Sequence, residues 1–357
     1  MSLFHAKHAK HAKHAKAEDA GGAATLTTLA LIRSRDAIVG SELMNPVAGQ
    51  PPSLDPGQRL LRMDADHRAA VLVAELLEGV RFESSGPAEA AHSAAILWQD
   101  ASGGTVIAKI ARPDLSQFRE AVEMVGNYAE LRPDRVPEIE VQRAELLPFF
   151  ASILPLEESR SEALLEMLYR GLDITTHLVM RMKLALACPR PSQFSDRIQP
   201  VIPVPSHATL PSGHATQAFC LATMLSLIRD SAAKVDASDR LFRMACRIAI
   251  NRTVAGVHFP ADSAAGAVLG IQIGRYLMAR AGRCDPMRSG SFDGTAFVDG
   301  TPGDPVTRDF HYQVLQDMME GRDPSTAFTP VAVPPPGAPL WTVLIERAVK
   351  EWGARWS

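Results

Sequence analysis

A chain of 357 residues, 46% hydrophobic and 22% charged, is long enough for one large or two modest globular domains. Its net charge is −3, and an acid-free N-terminal tail holds Lys7, Lys10, Lys13 and Lys16, so the remainder sits near about −7. That balance lacks the basic footprint of a nucleic-acid binder, and no nucleic-acid partner is expected.

In chain order, residues 1–22 read as a disordered low-complexity tail, with four His-Ala-Lys repeats between His5 and Lys16. Residues 23–155 read as an N-terminal helical region. It opens with a short apolar helix at 23–33 and a Gly/Pro loop at 40–57, followed by a helix at 58–79. Between 94 and 112, two strand-like runs flank Asp100-Ala101-Ser102-Gly103-Gly104, which predicts a small β-hairpin decorating a helical body. Helices are predicted over 115–131 and 137–153.

Residues 156–282 carry the strongest helical periodicity. A long pattern spans 157–187 and stops at Pro189, and a Pro-rich loop fills 190–211. A helix at 212–229 places Phe219, Ala222, Leu225 and Ile228 on one face, and a second is predicted at 238–258. Pro260 fits the first position of a third, over 260–281. Residues 283–357 read as a Gly- and Asp-rich loop, a helix at 305–320, a Pro-rich connector at 322–340 and a terminal helix at 341–356. That last helix is expected to dock on the body or on a second subunit, which would make a homo-oligomer. The expected architecture is all-α, a multi-helix bundle with one small hairpin.

No stretch of about 18 apolar residues occurs, and the best, 264–279, is interrupted by Gln272 and Arg275, so no transmembrane segment is expected. Without a clear secretory leader the chain reads as soluble and cytoplasmic. Cys188, Cys220, Cys246 and Cys284 lack metal-ligand spacing and read as buried thiols of a reducing compartment.

The polar residues that interrupt the apolar helices form an ordered set. Pro211-Ser212-Gly213-His214 reads as a tight turn into a helix, with Ser212 as N-cap. Gly213 permits close backbone approach, and first-turn amides attract anions. Lys183 and Arg190 are seven residues apart, about two helical turns, so both cations face one side if the chain stays roughly helical. Arg252 ends a core-like run and must be paired if buried. Gly256 and Pro260 suggest a bend that brings His258 to the same point. Asp262, four residues on, is spaced to orient the His258 imidazole. Taken singly, each cation reads as a solvated face or a structural ion pair. Together, three cations and amide donors match a tetrahedral or trigonal-bipyramidal oxyanion such as phosphate or vanadate. One histidine would attack or coordinate the central atom while the other moves protons.

Lys183-x6-Arg190-Pro191, Pro211-Ser212-Gly213-His214 and Arg252-x3-Gly256-x-His258-x3-Asp262 resemble the three-part signature of the type 2 phosphatidic acid phosphatase and vanadium haloperoxidase superfamily. Asn251 stands where that signature usually has Ser. The resemblance implies that Lys183, Arg190, Ser212, Gly213 and Arg252 hold the oxyanion. It makes His258 the axial vanadium ligand or the phosphorylated nucleophile, His214 the general acid/base and Asp262 the group that orients His258. Neither magnesium nor zinc is then needed.

Three functions share such a site. The first is a vanadium-dependent, bromoperoxidase-like enzyme using vanadate, hydrogen peroxide and a halide. The second is a phosphatase that hydrolyses small phosphoesters through a phosphohistidine. The third is a non-catalytic oxyanion-binding protein. His207, seven residues before His214, resembles a histidine near the cofactor of the bromoperoxidases, and is otherwise a solvated loop residue. His67, His92, His177 and His311 are isolated and read as surface or core histidines.

Overall fold

The computed structural model describes residues 25–35, 53–99, 103–284, 286–301 and 304–355. The tail expected at 1–22 lies outside the described residues. The chain divides into two compact units, 1–55 and 56–357. In the first, residues 25–35 form helix α1, which leaves Leu26, Leu29, Leu31 and Ile32 exposed.

The second unit opens with α2 (Pro56–Leu61) and α3 (Ala65–Leu77), then strands β1 (Val80–Ser85), β2 (Ser93–Trp98) and β3 (Thr105–Ala111). Helices α4 (Leu115–Asn127), α5 (Arg132–Ala144) and α6 (Leu147–Ala151) lead into the long α7 (Glu162–Leu186). Then come α8 (Gly213–Arg229), α9 (Arg240–Val254) and α10 (Pro260–Ala279). The chain ends through β4 (Arg288–Asp293), β5 (Val298–Thr301), β6 (Asp304–Thr307), α11 (Tyr312–Glu320), β7 (Thr326–Pro330) and α12 (Pro339–Gly353).

The expectation of an all-α bundle is overturned: the fold is mixed α/β. A five-stranded sheet runs β1-β2-β3-β4-β7. The β3–β4 pair is parallel, and the other pairs are antiparallel. The hairpin predicted at 94–112 is β2–β3, and it lies inside this sheet rather than decorating a bundle. All six residues of β2 are buried, and α7 packs on it while α10 packs on β3 and β4. The segments read as loops at 282–304 and 322–340 contain β4, β5 and β7. Their sequences, Arg-Ser-Gly-Ser-Phe-Asp for β4 and Thr-Ala-Phe-Thr-Pro for β7, carry little apolar alternation. β4 becomes a strand by pairing with the β3 edge of the hairpin and β7 by pairing in turn with β4, a tertiary effect that outweighs local preference, while β5 pairs with β6 in a separate two-stranded sheet.

The helices that hold the polar set sit at the centre. Helix α8 is buried on almost every side, as its all-round apolar sequence requires. It lies against α10 at unusually close range. A Cβ added to Gly266 would come within 2.9 Å of the Ser212 carbonyl oxygen, and one added to Gly270 would run into the Thr216 carbonyl. Small residues at four-residue spacing on α10 therefore set the distance between the two helices.

Helix α12 docks on the body through Trp341, whose indole N–H donates to the Leu277 carbonyl (2.8 Å). Two carboxylates finish the helix ends there. Glu75 of α3 accepts the Leu340 and Trp341 amides at 3.0 and 2.8 Å. Glu351 of α12 accepts the Ala163 and Leu164 amides of α7 at 3.0 and 2.9 Å. Each satisfies unpaired first-turn donors and complements the helix dipole.

Gly270→Ala is expected to lower the unfolding free energy by about 1–3 kcal/mol, because the clash is with backbone. Gly353→Ala, where nothing lies within 4 Å, should be neutral or stabilising. Paired urea titrations check both; equal effects would mean the α8–α10 contact is slack.

Candidate active site

Helix α7 brings Lys183 into the interior at its last turn, where the side chain is 1% exposed. Ala187 then adopts a left-handed conformation (φ 48°) that ends the helix and turns the chain toward Arg190. The Lys183 ammonium donates to the carbonyls of Ala208 (2.8 Å) and Thr209 (2.7 Å). Arg190 donates through Nη1 to the Val257 carbonyl (2.7 Å) and through Nε to that of His207 (3.0 Å). Its Nη2 lies 3.1 Å from His207 Nδ1 and 3.4 Å from the Ala208 carbonyl. Both cations therefore hold the backbone of the loop that precedes α8.

At the start of α8, the Ser212 hydroxyl accepts the Ala215 amide (3.4 Å), the N-cap role its residue type suggests. The Ser212 amide donates to the Asp262 carbonyl (2.9 Å) and ties the first turn of α8 to that of α10. Helix α9 delivers Arg252 in its last turn, 1% exposed. Its Nη2 donates to Gln142 Oε1 (2.9 Å), while Nε and Nη1 are buried without a hydrogen-bond partner. Gly256, at φ 78°, allows the sharp turn that returns the chain to His258.

His258 and Asp262 form a fixed pair, with Nδ1 3.0 Å from Oδ2. The same oxygen accepts the Phe259 amide (2.8 Å) and the Thr209 hydroxyl (2.5 Å). Thr209 also lies 3.0 Å from His258 Nδ1. With Nδ1 so engaged, Nε2 is the nitrogen left for chemistry.

A cavity of about 250 Å³ is lined by Lys183, His207, Gly213, His214, Arg252 and His258. Val179, Met180, Ile202 and Pro203 add an apolar wall, and Arg143 joins from α5. Arg190, Ser212 and Asp262 stand behind this lining rather than in it. Arg190 acts there by charge and by holding the loop.

Burial dominates the electrostatics. It pushes Lys183 down to about 7, helped by Arg190, and Asp262 up to about 6, against the donors it accepts. Arg252 falls to about 10 from burial. His214 falls to about 3 through burial and the neighbouring Arg252, opposed by the nearby backbone of Arg143 and Gln142. His258 is held well below its ordinary value by burial, Lys183 and Arg190. His207 is lowered mainly by burial. Near neutral pH both His214 and His258 are uncharged and the cavity is positive.

Residues 164–284 match the family model of the PAP2 superfamily. This segment is a PAP2 superfamily domain. No curated protein matches the chain. The PAP2 domain runs from α7 to just beyond α10 and carries every site residue named from the sequence. Among the described residues, no helix is long and apolar enough to cross a membrane.

Several contributors escaped the sequence reading. Thr209 sits in a Pro-rich loop with no periodic signal, yet its hydroxyl bridges His258 and Asp262. Gln142 and Arg143 lie outside the PAP2 domain, on α5. Gln142 had a usable signal: it follows Ile139 by three residues on the buried face of an otherwise polar helix. Asn251, the departure from the usual Ser, is fully buried and donates to Gln142 Oε1 (3.0 Å) and Glu138 (3.1 Å). It steadies the glutamine that holds Arg252.

Two outcomes follow from this geometry. Gln142→Leu removes the nearer acceptor of Arg252 Nη2, leaving it only the Ile139 carbonyl at 3.4 Å, and should cost about 1–3 kcal/mol in urea titration; no loss would mean that the longer bond suffices. Folded His214 binds its proton less tightly than the unfolded chain does, so its contribution is full above about 6.5 and is lost as pH falls toward about 3. Asp262, raised to about 6, works in the opposite sense as pH falls through that value. Urea midpoints measured from pH 7 to 4 should therefore fall less steeply in His214→Gln than in the natural protein. Parallel curves would exclude His214 as a source of acid sensitivity.

Proposed function

We propose that this protein is a vanadium-dependent haloperoxidase-like enzyme, oxidising halide with hydrogen peroxide at a vanadate held in the PAP2 cavity. The observation that carries this reading is Arg252: two buried guanidinium donors without partners, on the same cavity wall as His258. Unpartnered buried charge of this kind is costly unless an anion completes it. The donor set fits vanadate. His258 offers a neutral Nε2 lone pair because Asp262 and Thr209 engage Nδ1. Arg252 Nε and Nη1, the Lys183 ammonium and the Gly213 amide supply positive donors for oxygen atoms. Bound vanadate would supply an electrophilic centre at which peroxide becomes reactive toward halide.

The protein's own groups then have distinct tasks. His214 is neutral near pH 7, so in this reading it accepts a proton from hydrogen peroxide rather than donating one to a leaving group. Arg190 holds the His207 and Ala208 carbonyls and keeps that loop in place. His207, on the cavity wall beside Arg190, is suited to tune halide or peroxide handling. The apolar wall of Val179, Met180, Ile202 and Pro203 favours a second reading, in which an organic phosphoester rests there and His258 Nε2 attacks phosphorus. The leaving group would then take its proton from His214, whose proton affinity a bound dianion raises.

The purified protein with orthovanadate, hydrogen peroxide and bromide or iodide should brominate or iodinate monochlorodimedone between mildly acid and mildly alkaline pH. Silence there, with vanadate-inhibited hydrolysis of p-nitrophenyl phosphate, selects the phosphatase. His258→Ala should abolish vanadate binding, whereas His214→Ala should keep it and lose about 10²-fold or more in turnover. Equal loss of binding in both would contradict these roles. His207→Ala should change the bromide-to-iodide rate ratio.

A further inference from the structure

A second cavity, of about 580 Å³, opens at the other end of α10. Its nearest wall residue on that helix, Arg275, is thirteen residues from Asp262, roughly 20 Å along the axis. The turn after α8, the start of β4, α11 and β7 complete the walls. The volume suits a small-molecule site.

Three cations line it: Lys234, Arg275 and Arg288. Among the described residues, Arg275 has no hydrogen bond or ion pair. Burial pulls it below the ordinary guanidinium value, and nearby Arg288 adds to that pull, against Cys284. The one described acid on the wall, Glu320, is engaged by Gln316 and Arg322. Arg275 is half-buried while Arg288 and Lys234 are exposed, and an anion between them offsets the like charge that the three bring to one cavity. Val235, Met319 and Phe328 add apolar surface to the same lining, and the Phe328 carbonyl accepts Arg288 Nη2 (2.9 Å). The cavity thus combines forked donors for a tetrahedral anion with an apolar rest for an organic group.

We propose that this cavity is a second ligand site, separate from the PAP2 centre, for a small organic dianion of the phosphate-monoester class. The phosphate lies between Arg275, Arg288 and Lys234, and the ester group packs on Val235, Met319 and Phe328.

The probe is phenylphosphonate, a dianion with a ring and no ester bond to hydrolyse. Calorimetry on the full chain carrying Arg252→Ala, which removes the PAP2 cavity's unpartnered donors, should still show one site per chain. Adding Arg275→Leu should weaken it at least about tenfold, and Lys234→Ala, at an exposed side chain, about threefold. Benzenesulfonate, of like shape with one charge, should bind about tenfold more weakly. If Arg275→Leu does not fold, Lys234→Ala and Arg288→Ala decide. No binding in the Arg252→Ala protein, or binding unchanged by the cavity substitutions, overturns the proposal. Neither result bears on haloperoxidase or phosphatase activity at the PAP2 site.

Discussion

One carboxylate organises the centre of this protein. Asp262 is fully buried, and a single oxygen of it meets the Thr209 hydroxyl, the Phe259 amide and the His258 ring. Its backbone carbonyl accepts the Ser212 amide. The loop before α8, the start of α8, the turn after α9 and the start of α10 are therefore registered against one residue. The chemistry depends on that registration, because it fixes which imidazole nitrogen faces the cavity.

Around that carboxylate the cations divide their work. Lys183 and Arg190 are largely engaged with loop carbonyls, and Arg252 alone keeps two buried donors unpartnered. Of the three cations named from the sequence, two donate to loop carbonyls and the third keeps buried donors free on the cavity wall. Substituting Lys183 or Arg190 would disturb cavity shape together with charge, so the cleaner probe of anion binding is Arg252.

Much of the helical centre was legible in the sequence because helical signals are local. The pattern at 157–187 became α7, and Pro260 opens α10 as its fixed backbone angle suggests. The turn into α8 was legible for the same reason: Ser212 caps the helix within one turn, accepting the Ala215 amide. Part of the sheet was hidden because β4 and β7 owe their state to partners far along the chain. β4 pairs with β3 across nearly two hundred residues, and Phe292 is its chief apolar signal. At the site, Thr209 and Gln142 were missed for a related reason. Their importance lies in what they touch, and a single hydroxyl in a Pro-rich loop carries no periodicity.

The paired helix caps at the C-terminus bear on how far the PAP2 domain is a self-sufficient module. Residues 164–284 hold the candidate site residues drawn from the sequence, yet the first amides of α7 are satisfied by Glu351, and the start of α12 is satisfied in turn by Glu75. Gln142 and the hairpin strands lie outside that segment as well. Excised at its own borders, the domain would begin with a frayed helix and a bare flank where the sheet had been. The portable unit is therefore most of the chain from Pro56 onward, and fusion or truncation boundaries belong outside it.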